Sequence, residues 1–78
     1  MSMTFSGQVV VITGAAHGIG RATALAFAAE GLKVVVADLD AAGGEGTVAL
    51  IRTAGGEASF VRCDVTVESD VKNLMDEV

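Results

Sequence analysis

The sequence predicts an α/β fold, the N-terminal half of a doubly wound parallel sheet. Three observations predict it. Two β-branched runs, Val9-Val10-Val11-Ile12 and Val34-Val35-Val36, are near-continuous apolar blocks, as strands buried on both faces require. Between them Arg21–Glu30 is rich in helix formers. Glycines punctuate the joins at Gly14, Gly18, Gly20 and Gly31. The expected succession is β-α-β-α-β-α. Right-handed crossovers then give the strand order 3-2-1.

The first strand runs through G-x-x-x-G-x-G, Gly14 to Gly20, into the first helix. Such a turn gathers backbone N–H groups and a helix N-terminus at one point, which suits a phosphate. Gly14 permits a sharp turn off the strand. Gly18 leaves no Cβ between backbone and pyrophosphate, and Gly20 lets the helix lie close on the strand. Glycines alone are a weak signal. Weight comes from the strand before, the helix after and an acidic residue beyond.

That residue is Asp38, at the end of the second apolar run and about twenty residues past the turn. In a βαβ unit it stands at the carboxyl end of the neighbouring parallel strand. There a carboxylate can accept from both ribose hydroxyls of an adenosine and repel a 2′-phosphate, which argues for NAD over NADP. The other reading of Asp38 is a cap for the next helix.

Together these residues describe a Rossmann-like unit. Thr13-Gly14-Ala15-Ala16-His17-Gly18-Ile19-Gly20 resembles the T-G-x-x-x-G-x-G turn of the short-chain dehydrogenases/reductases. Asp38 resembles that family's NAD-selecting acid, and Cys63-Asp64-Val65 its third cofactor contact. The resemblance covers nearly the whole chain. It implies that Gly14, His17, Gly18, Ile19 and Gly20 form the pyrophosphate side of the cofactor site. Asp38 and Leu39 would hold the ribose and flank the adenine. Asp64 would accept from the adenine amino group, with the Val65 backbone beside it. The implied activity is hydride transfer between a small-molecule alcohol and a ketone. The family's N-N-A-G stretch, catalytic Ser and Y-x-x-x-K pair have no match here, and the chain contains no tyrosine. No catalytic residue is therefore assigned. The expectation is the N-terminal part of a single NAD-binding domain, apparently incomplete and inactive alone. The alternative is an inactive dinucleotide-binding fragment or module.

Composition sets the outer bounds. Hydrophobic residues make up 51% of the 78 and charged residues 19%, too apolar for a disordered chain. The net charge is −5, and the few Lys and Arg form no stripe, so nucleic acid and anionic membranes gain no electrostatic support. No apolar run reaches membrane-spanning length. The N-terminus lacks the pattern of a secretory signal. One cysteine, Cys63, cannot form an internal disulfide and is expected to be buried. A cytoplasmic setting is expected.

In chain order, Phe5-Ser6-Gly7-Gln8 is expected to be a lead-in to the first strand. The first helix is expected to present Ile19, Ala22, Ala26 and Ala29 on one side, with Thr23 and Phe27 adjoining. His17 admits two readings, a turn residue beside the phosphates or a base with no evident carboxylate partner. Arg21 either balances phosphate charge or is solvated or ion-paired. A second helix follows Asp40, a candidate cap. Gly43, Gly44 and Gly46 in its first half should soften its start, at about 1 kcal/mol each relative to alanine, and are not a second phosphate loop. Gly55-Gly56 ends it. A third strand spans Glu57–Cys63, with Ala58 and Phe60 on one face, Arg62 continuing their alternation, and Ser59, Val61 and Cys63 on the other. Thr66 is a candidate cap, with Glu68 and Asp70 in the first turn of a third helix. Its apolar stripe is Val67, Val71, Leu74, Met75 and Val78. With strand order 3-2-1, Val9–Ile12 would be an open apolar edge. That edge invites pairing with another chain, so the expectation is either that an isolated 1–78 polypeptide aggregates, swaps or dimerises, or that the chain is a fragment of a longer protein; a homo-oligomer is expected of the complete protein.

Overall fold

The structure is a computed structural model that describes residues 3–63. The expected third helix, with Thr66, Glu68, Asp70 and its stripe, lies outside the described residues.

The elements are β1 (Met3–Ser6), β2 (Val9–Thr13), α1 (Gly18–Ala29), β3 (Lys33–Asp38), α2 (Ala41–Thr53) and β4 (Ala58–Arg62). The three expected strands are β2, β3 and β4. They pair in parallel, Val10 opposite Val34 and Val36 opposite Phe60, with β3 in the middle. That is the 3-2-1 order, but the full sheet order is β1-β2-β3-β4.

The added strand corrects the sequence reading. Met3–Ser6 is not a mere lead-in: it runs antiparallel to β2, Met3 opposite Ile12 and Ser6 opposite Val9. Gly7, at φ +58°, makes the tight return possible. The edge of β2 expected to lie open is therefore occupied, and gives no argument for pairing with another chain. Nothing in Met-Thr-Phe-Ser marks a strand, because all four residues are exposed and no buried face patterns them. Phe5 does meet Phe27 of α1 edge-to-face, with ring centroids 5.4 Å apart.

The sheet has two apolar faces. On one, Val10, Ile12, Val34, Val36 and Ala58 pack with Ala24 of α1 and with Val48 and Ile51 of α2. On the other, Val11, Val35, Ala37 and Cys63 cluster. This explains why β2 and β3 are apolar without alternation. The two faces expected for the third strand are found, with Ala58 and Phe60 on the helix side and Val61 and Cys63 opposite. Cys63 is buried, as expected. Among the described residues no helix is long and apolar enough to cross a membrane.

The phase of α1 differs from the expected one. Its inward residues are Gly20 and Ala24, with Leu25, Phe27 and Ala28 half-buried, while Ile19, Ala22, Ala26 and Ala29 are exposed. The cause is Gly20, where an added Cβ would run into the Gly14 carbonyl. That contact fixes which side of the helix faces the sheet, and Ala24 and Ala28 follow at i+4 and i+8. Alanines on every side of the helix hide this phase from a hydropathy pattern.

The glycines of α2 are also packing residues rather than a soft start. Gly43 and Gly44 are buried. An added Cβ on Gly44 would enter the Phe60 ring, and one on Gly43 would come within 2.6 Å of His17 Nε2. Gly20→Ala is expected to destabilise the fold by about 1–3 kcal/mol, the usual cost of overpacking against backbone that cannot yield. Denaturant titration of the variant reads the loss. An unchanged midpoint would refute the close contact.

Candidate functional site

The carboxyl ends of β2 and β3 bring the predicted residues together. Beyond Thr13, Gly14 takes φ +70°, and its N–H donates to Ala37 O of β3 at 2.9 Å. Ala15 and Ala16 are buried. His17 is the N-cap of α1 with extended backbone, but its side chain makes no capping hydrogen bond, and the first turn holds no acidic residue. Among the described residues, the N–H donors that open α1 thus have no capping side chain. Gly18, at φ +57°, would carry a Cβ into open space. The cradle is glycine-lined and accessible, and Ile19 beside it is 79% exposed.

The N-terminus of α2 is the opposite case. Asp40 is its N-cap, and Oδ1 accepts from Gly43 N at 3.0 Å. One of its opening donors, Gly43 N, is thus answered from within the chain. Of the two described helix starts, that of α1 lacks a side-chain cap and that of α2 has one. The expectation that Asp40 caps agrees with this geometry.

Asp38 ends β3. Its Oδ2 accepts from Ala16 N in the glycine turn at 3.3 Å, and its Oδ1 accepts from Asp40 N at 3.0 Å. The cap of α2 is therefore Asp40, not Asp38. Asp38 instead ties the glycine turn to the start of α2, with each oxygen oriented by a backbone donor. Leu39 follows, half exposed. Behind them Cys63 N donates to Asp38 O at 3.1 Å. Asp64 and Val65 lie outside the described residues.

His17 has a carboxylate partner that sequence reading missed. Its Nε2 lies 2.5 Å from Asp40 Oδ2. The partner is 23 positions away, and only the parallel pairing of β2 and β3 brings it near. The hydrogen bond from Gly43 N, and then His17, lowers the Asp40 carboxyl below its ordinary 3.8.

Arg21 neither faces the cradle nor stands in solvent. Its Nε donates to Thr47 Oγ1 at 2.9 Å and its Nη2 to Gly43 O at 3.0 Å. Thr47 is fully buried. Its hydroxyl donates to Ala15 O at 2.8 Å, with Ala16 O and Gly43 O each at 3.3 Å. One hydroxyl thus joins α1, α2 and the glycine turn. It holds the carbonyls of Ala15 and Ala16 inward. Thr47 passed unnoticed because a lone threonine in a helix carries no signal.

Residues 8–78 match the family model described as short chain dehydrogenase. The chain belongs to this family. Over 75 residues it is 52% identical to the 2,5-dichloro-2,5-cyclohexadiene-1,4-diol dehydrogenase LinX of Sphingobium indicum, covering 96% of this chain and 30% of that protein. It is 47% identical over 76 residues to the sex determination protein tasselseed-2 of Zea mays, covering 97% and 22%. A metagenomic short-chain oxidoreductase in complex with NADP superposes with TM-score 0.86 at 35% identity, over 92% of this chain and 33% of that one. A short-chain dehydrogenase/reductase from Burkholderia phymatum in complex with NAD superposes at 0.85 and 45%, over 94% and 26%. The chain spans less than a third of the length of these relatives.

Two outcomes follow from this geometry. Thr47→Val strands the Arg21 Nε donor and the Ala15 carbonyl. It is expected to cost about 1–3 kcal/mol by denaturant titration, with Thr47→Ser restoring most of it. Asp40 has a folded-state value below its unfolded one. Its contribution is complete above pH 3.8 and is lost as pH falls through the folded-state value. Melting curves of wild type and Asp40→Asn, which keeps a capping oxygen, should differ at neutral pH and converge in strong acid. A constant gap at every pH would refute it.

Proposed function

We propose that this chain is the N-terminal, dinucleotide-binding part of an oxidoreductase that interconverts an alcohol and a ketone, with NAD preferred over NADP. One observation carries the reading. An uncapped helix start behind a glycine turn stands beside a carboxylate whose two oxygens are both oriented by backbone donors.

The bound nicotinamide would supply the hydride chemistry. The chain's own residues bind and orient. N–H groups of the turn and of the first turn of α1 would donate to the pyrophosphate, where the helix dipole also favours negative charge. Gly18, with open space where a Cβ would stand, lets those groups approach closely. Ile19 offers an apolar surface to the cofactor's inner face. Asp38 would accept from the ribose hydroxyls, with Leu39 against the adenine. Asp64 and Val65 are proposed to complete the adenine contact. Relatives of this chain include a diol dehydrogenase, which suits an alcohol as substrate class. Solved relatives hold either NAD or NADP. Asp38 supports the NAD reading, because a carboxylate accepts from a 2′-hydroxyl and repels a 2′-phosphate.

The test is binding of NAD and NADP to the full-length protein, read by calorimetry. Asp38→Ala is expected to weaken NAD by about tenfold or more, the value of one or two lost charge-assisted hydrogen bonds, and to narrow the NAD-to-NADP ratio. Unchanged affinities for both would leave Asp38 a structural tie alone.

A further inference from the structure

The peptide unit between Ala15 and Ala16 lies in the glycine turn, outside both β2 and α1. Both of its polar atoms are held by side chains from distant parts of the chain. Its carbonyl oxygen accepts from Thr47 Oγ1 of α2 at 2.8 Å. Its N–H donates to Asp38 Oδ2 of β3 at 3.3 Å. Thr47 is itself fixed from behind. Its hydroxyl accepts from Arg21 Nε at 2.9 Å, which leaves its one hydrogen for the carbonyls of the turn. The result is a directional chain that runs from Arg21 through Thr47 and the Ala15–Ala16 peptide to Asp38. A cation stands at its donor end and a carboxylate at its acceptor end, so each link polarises the next. Its middle is away from water, because Thr47, Ala15 and Ala16 are fully buried.

A peptide group is planar and trans, with its carbonyl and N–H opposed, so whatever fixes the carbonyl also aims the N–H. Thr47 on Ala15 O thus aims Ala16 N at Asp38. Asp40 N, at 3.0 Å, holds the other carboxylate oxygen. A carboxylate has about four acceptor positions, and two backbone donors leave room for ribose hydroxyls. Arg62 ends β4 opposite Asp38 in register, but it is exposed, and the oriented contacts of the carboxylate are these two backbone donors. We propose that Thr47 is a positioning residue for the ribose acid: through the Ala15–Ala16 peptide it aims the N–H that orients Asp38 toward the adenosine ribose. Buried behind the turn, it acts through that peptide and not by touching the cofactor. The inference rests on the binding scheme above, in which the ribose lies at Asp38.

The experiment measures NAD binding to the full-length protein by calorimetry, as wild type, Thr47→Val, Thr47→Ser, Asp38→Ala and the double variant Thr47→Val with Asp38→Ala. Melting temperature is the control for folding. Thr47→Val is expected to weaken NAD about three- to tenfold, the worth of one lost hydrogen bond, and Thr47→Ser to stay within about twofold of wild type. With Asp38→Ala already in place, Thr47→Val should cost less than about twofold, because no carboxylate is left to orient. The ligand gives the same cycle from the other side. An NAD analogue lacking the adenosine 2′- and 3′-hydroxyls should bind wild type and Thr47→Val alike. A merely structural role would weaken NAD equally with and without the Asp38 carboxylate, and that result overturns this inference alone. So does an unmoved NAD affinity in Thr47→Val. If Asp38→Ala by itself leaves NAD binding unchanged, the binding scheme falls, and this inference with it. If Thr47→Val does not fold, Thr47→Ala, which leaves space for a water to answer Arg21 Nε, takes its place.

Discussion

The contact on which the rest depends is the approach of α1 to the glycine turn at Gly20. No side chain fits between Gly20 and the Gly14 carbonyl. The helix therefore starts directly off the end of β2 and lies with Ala24 and Ala28 toward the sheet. Move the helix outward by one methyl group and three things shift together. Its opening N–H groups leave the mouth of the turn, Arg21 loses its reach to Thr47, and His17 loses Asp40. A backbone contact thus sets the geometry of a polar site several residues away.

Around that contact the polar groups form one connected set. Thr47 takes the inner side of the turn through Ala15 O, and Asp38 takes the Ala16 N–H. Asp40 closes the set by accepting from Gly43 N and pairing with His17. Among the described residues no buried side-chain polar atom lacks a partner. Connected and satisfied networks hold a single arrangement, which is what a site that must meet a rigid ligand needs.

Much of this was legible because the physics is local. β-branched runs mark buried strands. Positive φ at Gly14 needs a glycine, and a close helix needs Gly20. Asp38 stands where the βαβ repeat puts it. What stayed hidden depends on pairs far apart in sequence. Thr47 meets Ala15 across 32 positions, and His17 meets Asp40 across 23. The α2 glycines look like helix breakers until Phe60 and His17 are seen lying against them. The phase of α1 was hidden by alanines on all sides. β1 was hidden because its residues, exposed throughout, carry no pattern.

That short strand changes how the sheet meets its surroundings. Val9–Val11 and Ile12 would be a strong template for unwanted strand addition, being β-branched throughout. With β1 seated on it, the outermost backbone at this side, among the described residues, belongs to four residues, Met-Thr-Phe-Ser. So brief an edge gives an incoming strand few hydrogen bonds to begin on. β1 buries none of its own residues and is held by pairing and by Phe5 on Phe27. Its hold on β2 thus rests on four paired residues and one ring contact, far less than a buried strand has.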